Sequence, residues 1–124
     1  MKKMFYLKLN EERKEFREGY IFEQKKKVLL GMMDILILSW IKTVPLCGQD
    51  IMDKIKKEYG VSIGSGTMYP ILFNLYGKDI VNTTRVNKKK LYHLTEKGKE
   101  IVDSLIAEYL TIQKELNSFF KWPQ

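Results

Sequence analysis

The segment from Val28 onward, VLLGMMDILILSWIKTV, is apolar on nearly every side. A helix with that pattern has to be surrounded by other elements, so it is the expected centre of the core. Pro45 ends it, because the residue before a proline is pushed out of helical geometry. Downstream, QDIMDKIKKEYG puts Ile51, Met52, Ile55 and Tyr59 on one helical face and Asp50, Asp53, Lys54 and Lys57 elsewhere. Gly60 stands where a helix C-terminal glycine belongs. A third helical pattern begins within GSGTMYPILFNL, where Met68, Ile71, Leu72 and Leu75 share a face.

The period then changes. Ile80 to Arg85 is rich in β-branched residues, Lys90 to Leu94 alternates, and VNKK between them supplies a turn with Asn87. This predicts a two-stranded hairpin. From Thr95 the pattern returns to helix as far as Lys121, with Thr95 as N-cap and Glu96 in the favoured first turn. Residues 1–27 are the least legible. NEERKEFREGYIFEQKKK is built of helix-forming residues and holds Phe16 and Tyr20 at i,i+4, which predicts a helix. The resulting order is that of a mostly α fold with a small β-hairpin wing, a winged helix-turn-helix with a long C-terminal dimerisation helix. Residues 1–27 form an N-terminal extension, 28–95 the winged domain and 96–124 the dimerisation helix.

Composition narrows the function classes. With 124 residues, 44% hydrophobic, the chain can bury a real core. A formal charge of +7 favours polyanionic partners, either nucleic acid or an anionic surface. One cysteine, Cys47, rules out an internal disulfide and fits a reducing cytosol; with His93 as the one histidine, no Cys/His metal site is expected. No secretory signal or membrane-spanning run is visible, and a cytoplasmic location is expected without a membrane partner. Catalysis has little to stand on, because Cys47 and His93 lack a third partner and the Gly64/Gly66 pair lacks the lysine of a phosphate-binding loop. The expectation is no enzyme, no catalytic residue, no metal and no cofactor.

The third helix carries the better signal. Opposite its apolar face stand Gly66, Pro70, Phe73 and Asn74, flanked by Thr67 and Tyr69. A glycine and a proline there let something flat and wide approach the backbone. Free N–H groups at the helix start, with the Ser65 and Thr67 hydroxyls, suit a phosphate oxygen. Early in a helix, Pro70 is expected to sacrifice little. At the hairpin tip, Arg85, Lys88, Lys89 and Lys90 cluster with Asn87, where they can reach a phosphate backbone or the minor groove. Helix and wing together predict binding to double-stranded DNA. In the last helix Val102, Leu105, Tyr109, Ile112, Leu116 and Phe119 follow at intervals of 3, 4, 3, 4 and 3 residues. That is an a/d seam. A helix to Lys121 would be roughly 39 Å long, more than one small domain covers, so a homodimer is expected.

These residues resemble the PadR family of winged-helix transcriptional regulators over about Leu30 to Leu110. The likeness rests on LLGMMDILILSWI, PLCGQDI, GTMYPILFNL and LYHLTEKGKE. It implies a homodimeric, usually repressing DNA-binding protein of the compact subtype. The helix near Ser65 would enter the major groove and the 80–95 hairpin would form the wing. The resemblance also implies release of DNA by a small apolar or aromatic effector near the dimer interface, for which Trp40 and Trp122 are candidate walls. This chain departs from the pattern in three places. Cys47-Gly48-Gln49 stands where His-Gly-Tyr is frequent, Phe73 and Asn74 replace basic residues of the recognition helix, and Asp79 replaces a glycine before the wing. Asn74 could pair with an adenine edge and Phe73 with thymine methyls. Two other readings stand beside the sequence-specific regulator. A sequence-nonspecific architectural protein fits 19 lysines against three arginines. A winged-helix protein-interaction module would instead use the Phe73 face for another protein.

Overall fold

The computed structural model describes residues 2–120. The chain divides into two compact units, Met1–Met32 and Met33–Gln124. The first is a single helix, α1 (Lys2–Gly31), in which the Phe16 and Tyr20 rings stack 6.3 Å apart. The second holds α2 (Met33–Thr43), α3 (Gly48–Tyr59), α4 (Ser65–Gly77), β1 (Val81–Val86), β2 (Lys89–Leu94) and α5 (Glu96–Phe119).

The apolar run that was expected to form one helix from Val28 is split. Residues 28–31 close α1, and the Met32 amide reaches both the Val28 and Leu29 carbonyls at 3.1 Å. The break follows Gly31, the weakest helix former in the run. The division between compact units accordingly falls after Met32 and not after residue 27. At its other end α2 stops at Thr43, two residues before Pro45.

The core of the second unit is built from one stripe of each element. Met33, Ile37, Leu38 and Ile41 of α2, Ile51 and Ile55 of α3, and Met68, Leu72 and Leu75 of α4 are buried with Val81, Tyr92, Leu94 and Val102. Ile71, expected among them, is only half-buried. Gly60 ends α3 at φ 69°, the left-handed conformation that a C-terminal glycine supplies without strain.

The hairpin pairs Val81 with Leu94 and Val86 with Lys89, leaving a two-residue loop of Asn87 (φ 51°) and Lys88 (φ 66°). Both lie at positive φ, as a type I′ turn requires. The turn is thus tighter than the four residues VNKK suggested. A single residue, Leu46, bridges to the hairpin through paired hydrogen bonds with Tyr92 at 2.8 and 3.2 Å.

Wing and last helix meet α4 at one junction. Asp79, which stands where a glycine is frequent, takes left-handed geometry at φ 59°. Thr95 then donates from its amide to the Ile80 carbonyl at 3.1 Å, and its hydroxyl accepts from the Gly98 amide at 3.0 Å. A Cβ on Gly98 would fall on the Ile80 carbonyl oxygen. In an ordinary helix interior Gly→Ala stabilises by about 1 kcal/mol. Here we expect Gly98→Ala to destabilise by about 2–3 kcal/mol, seen as a lower midpoint in chemical denaturation. A stabilised variant would refute the close approach.

Candidate nucleic-acid interface

α4 starts without a side-chain cap. Gly64 is its N-cap residue and offers no side-chain oxygen, so the Ser65 and Gly66 amides stay open at the tip. The first intrahelical bonds run from the Thr67 and Met68 amides to the Gly64 carbonyl. Pro70 consequently falls in the second turn, beyond the orphan amides. Its missing N–H removes a bond that the Gly66 carbonyl would otherwise accept, so the proline costs more than its expected early place implied.

Nothing inside the fold calls for the glycines here. A Cβ at Gly64 or Gly66 would meet open space, and neither has positive φ. Ser65, Gly66, Thr67, Tyr69, Pro70, Phe73 and Asn74 are all exposed, Phe73 to 75%. An exposed, glycine- and proline-bearing helix face of this kind is flat and leaves its backbone within reach of a partner.

Tyr69 is positioned by Gly48, the first residue of α3. A Cβ there would sit 2.8 to 2.9 Å from the far end of the Tyr69 ring, so that ring lies against bare backbone. Beside it, the Cys47 thiol holds Asp50 below its ordinary pKa; the Cys47 amide, 3.3 Å away, acts in the same direction, as does Lys89 of the wing. The carboxylate so held caps the start of α3.

The wing is basic and forms no salt bridge among the described residues. Arg85, Asn87, Lys88, Lys89 and Lys90 are all exposed. Arg85 pairs directly with Lys90 across the hairpin, an arrangement of like charges that weakens a sheet on its own. Among the described residues, salt bridges join Lys14–Glu18, Lys42–Asp103 and Lys99–Glu96, and none involves the wing. Apart from the longer-range attraction between Lys89 and Asp50, the hairpin holds four cations close together without a direct counter-ion.

α4 and the wing adjoin. A cavity of about 320 Å3 between them is lined by Tyr69, Phe73, Tyr76, Thr83, Lys90 and Tyr92. Of these, Tyr76, Thr83 and Tyr92 were not foreseen. Tyr76 stands three residues after Phe73, and Thr83 and Tyr92 are a cross-strand pair, so the helical and hairpin periods were the signals that could have found them.

The expected seam of α5 divides in two. Val102 is buried in the core of its own unit, and Leu105 and Tyr109 are half-buried. Ile112, Leu116 and Phe119 are exposed to 52%, 44% and 82%. Lys121 and Trp122 lie outside the described residues.

Helices leading through a sharp turn into a partly exposed α4, followed directly by a hairpin, define a winged helix-turn-helix protein. The chain belongs to the Transcriptional regulator PadR-like family, whose model matches residues 37–104, more than half of its length. It is a non-enzymatic family of DNA-binding transcriptional regulators. Among solved structures, a PadR-like transcriptional regulator from Bacillus cereus superimposes with a TM-score of 0.72 at 22% identity, over 78% of this chain and 99% of that one. A PadR family transcription regulator from Clostridium difficile R20291 gives 0.66 at 26% identity, over 72% and 98%. Among curated proteins, the transcriptional activator GvpE2 of Halobacterium salinarum is 28% identical over 94 residues, 67% of this chain and 49% of the relative. The activator GvpE of Haloferax mediterranei is 25% identical over 80 residues, 64% and 42%. The chain thus spans about half or less of the curated relatives it matches. Among the described residues, no helix is long and apolar enough to cross a membrane, and no cluster of His, Cys, Asp or Glu could hold a metal ion.

The Gly48–Tyr69 contact yields a test. Gly48→Ala should force the Tyr69 ring out of place, weakening DNA binding severalfold while changing stability by less than about 1 kcal/mol, since Ala favours the helix. Unchanged affinity in a titration with duplex DNA would show that the ring's position is irrelevant to binding.

Proposed function

We propose that this chain is a homodimeric, sequence-specific DNA-binding regulator in which α4 enters the major groove and the β1–β2 wing lies on the adjacent backbone. The observation that carries the reading is the meeting of two features at one surface. A helix face opened by Gly66 and Pro70 adjoins a wing whose four cations form no salt bridge among the described residues. With no basic side chain on α4 itself, the wing supplies most of the counterion release, and Asn74 and Phe73 are left to read base edges. Ser65 and Thr67 hold a phosphate at the helix tip.

Dimerisation is assigned to the far half of α5, where Ile112, Leu116 and Phe119 have nothing of their own unit to cover them. The two copies of α4 then meet half-sites one or more helical turns apart. The resemblance implied repression, whereas the curated relatives are named activators. The sign therefore depends on where the operator lies relative to the promoter, and a reporter carrying the selected operator reads it directly. A ligand response is part of the proposal through Trp40, which packs against Lys54 at 5.2 Å beside a cavity of about 280 Å3. Quenching of tryptophan fluorescence by planar aromatics, lost in Trp40→Leu, is its signature.

Selection from a random duplex pool at near-physiological salt should return a palindrome. Tight binding without sequence preference would mean an architectural role, and no retention would mean a protein-interaction module. Replacing Lys88, Lys89 and Lys90 with alanine should weaken binding to all sequences and flatten the salt dependence by up to about three ions; an unchanged slope would remove the wing from the interface. For the dimer, Ile112→Asp and Leu116→Asp lie on the exposed half of α5 and should leave a folded monomer, measured by light scattering beside circular dichroism. A dimer of unchanged mass would refute the seam.

A further inference from the structure

The cleft between α4 and the wing has a chemistry of its own. Thr83 pairs with Tyr92 and Lys90 lies two residues before it, so all three side chains stand on one face of the hairpin. Tyr69, Phe73 and Tyr76 line the opposite wall. No carboxylate lines the cleft. It offers the Lys90 ammonium, the Thr83 hydroxyl and three phenols, and none of those phenols has a hydrogen-bond partner among the described residues. Tyr92 is the telling case. The residue as a whole is only 5% exposed, yet no side-chain oxygen among the described residues is both buried and unpartnered, so the hydroxyl is the part of Tyr92 that opens into the cleft. Burial, with Tyr69 nearby, raises its pKa, which keeps the phenol protonated and able to donate. Lys90 stands 5.7 Å from the centre of the Tyr92 ring, which fixes the ammonium at the rim.

Apolar ring faces on one side and converging donors on the other suit a group that is hydrocarbon at one end and an anionic acceptor at the other. A deoxyribose with its phosphate is such a group. It is also what passes this place, because the sugar–phosphate strand runs between a helix in the major groove and a hairpin beside it.

We propose that the cleft is a sugar–phosphate clamp, in which the rings of Tyr69, Phe73 and Tyr76 pack one deoxyribose while Lys90 and the Tyr76 and Tyr92 hydroxyls hold its phosphate. This rests on the DNA-binding reading and extends it. Tyr76 and Tyr92 become DNA contacts, and part of the affinity comes from neutral donors that release no counterion.

The test titrates the full chain with a short DNA duplex by fluorescence anisotropy over a range of salt concentrations. Tyr76→Phe, at a half-exposed position where folding is not at risk, should bind roughly tenfold more weakly with an unchanged salt slope. Tyr92→Phe should behave alike, with an unaltered melting temperature. Lys90→Met should lower the slope by about one ion. In the double variant Tyr76→Phe/Lys90→Met the loss should fall short of the product of the two, because both groups hold one phosphate. Full affinity in Tyr76→Phe and Tyr92→Phe, or strictly multiplicative losses in the double variant, would overturn the clamp. Absence of binding by the unaltered chain would overturn the DNA reading instead, so the two failures are distinguishable.

Discussion

The junction around Thr95 is the constraint on which the geometry of α4 and the wing depends. The Ile80 carbonyl accepts from the Thr95 amide, and the one Thr95 hydroxyl hydrogen is shared between the Asp79 carbonyl at 2.6 Å and the Ile80 carbonyl at 3.1 Å. The hydroxyl oxygen accepts from Gly98, which must be a glycine because its backbone touches Ile80. Lys97 adds a bond from Nζ to the Lys78 carbonyl at 3.0 Å. The end of α4, the root of β1, the end of β2 and the start of α5 are therefore tied within one short space. A hairpin of two strands has little stability alone. Anchored here, its base cannot swing relative to α4, and the cleft between them keeps its shape.

Stability and binding pull in opposite directions along this chain, and the local sequence shows where each wins. Gly98 and Gly48 serve packing: a Cβ at either would strike a neighbour. Gly64 and Gly66 serve no internal contact; Gly66 lowers helix stability relative to alanine, and Gly64 leaves the N-cap without the side-chain oxygen that Ser, Thr, Asp or Asn would supply. Arg85 opposite Lys90, and Lys88 held at φ 66°, are likewise unfavourable in isolation. These three unfavourable features, and the uncapped Gly64, all lie at the tip of α4 or of the wing. None falls on the buried side. A polyanion would relieve the charge repulsion and use the open backbone, which gives their placement a common physical reason.

Much of this was legible because each element carries its own period. The amphipathic stripes of α3 and α4, the Gly60 stop, the Thr95 cap and the hairpin all follow from local rules, and the structure has them. What sequence could not give was competition between rules. The continuous apolar run from Val28 hid the break after Gly31, since periodicity says nothing when every side is apolar. Pro70 was expected to cost little as an early residue, but in a helix that starts at Ser65 it falls in the second turn, where its missing N–H leaves a carbonyl without its bond. The aromatic cleft needs the register Thr83 opposite Tyr92 and the proximity of α4 to the hairpin, both of which are tertiary. Heptad spacing in α5 likewise could not reveal that Val102 belongs to the domain's own core.

That division of α5 bears on how dimerisation and DNA binding could be linked. Its first half packs with α2 and begins at the Thr95 junction, and its far half holds the exposed Ile112, Leu116 and Phe119. One uninterrupted helix thus runs from the root of the wing to the surface we assign to the partner subunit. A rigid helix transmits a small angular change at one end as a larger displacement at the other. In the proposed dimer, anything that alters the packing of the two α5 helices would change the separation of the two wings, and with it the fit to half-sites of fixed spacing. Control of binding then needs no contact with the DNA-facing surface at all.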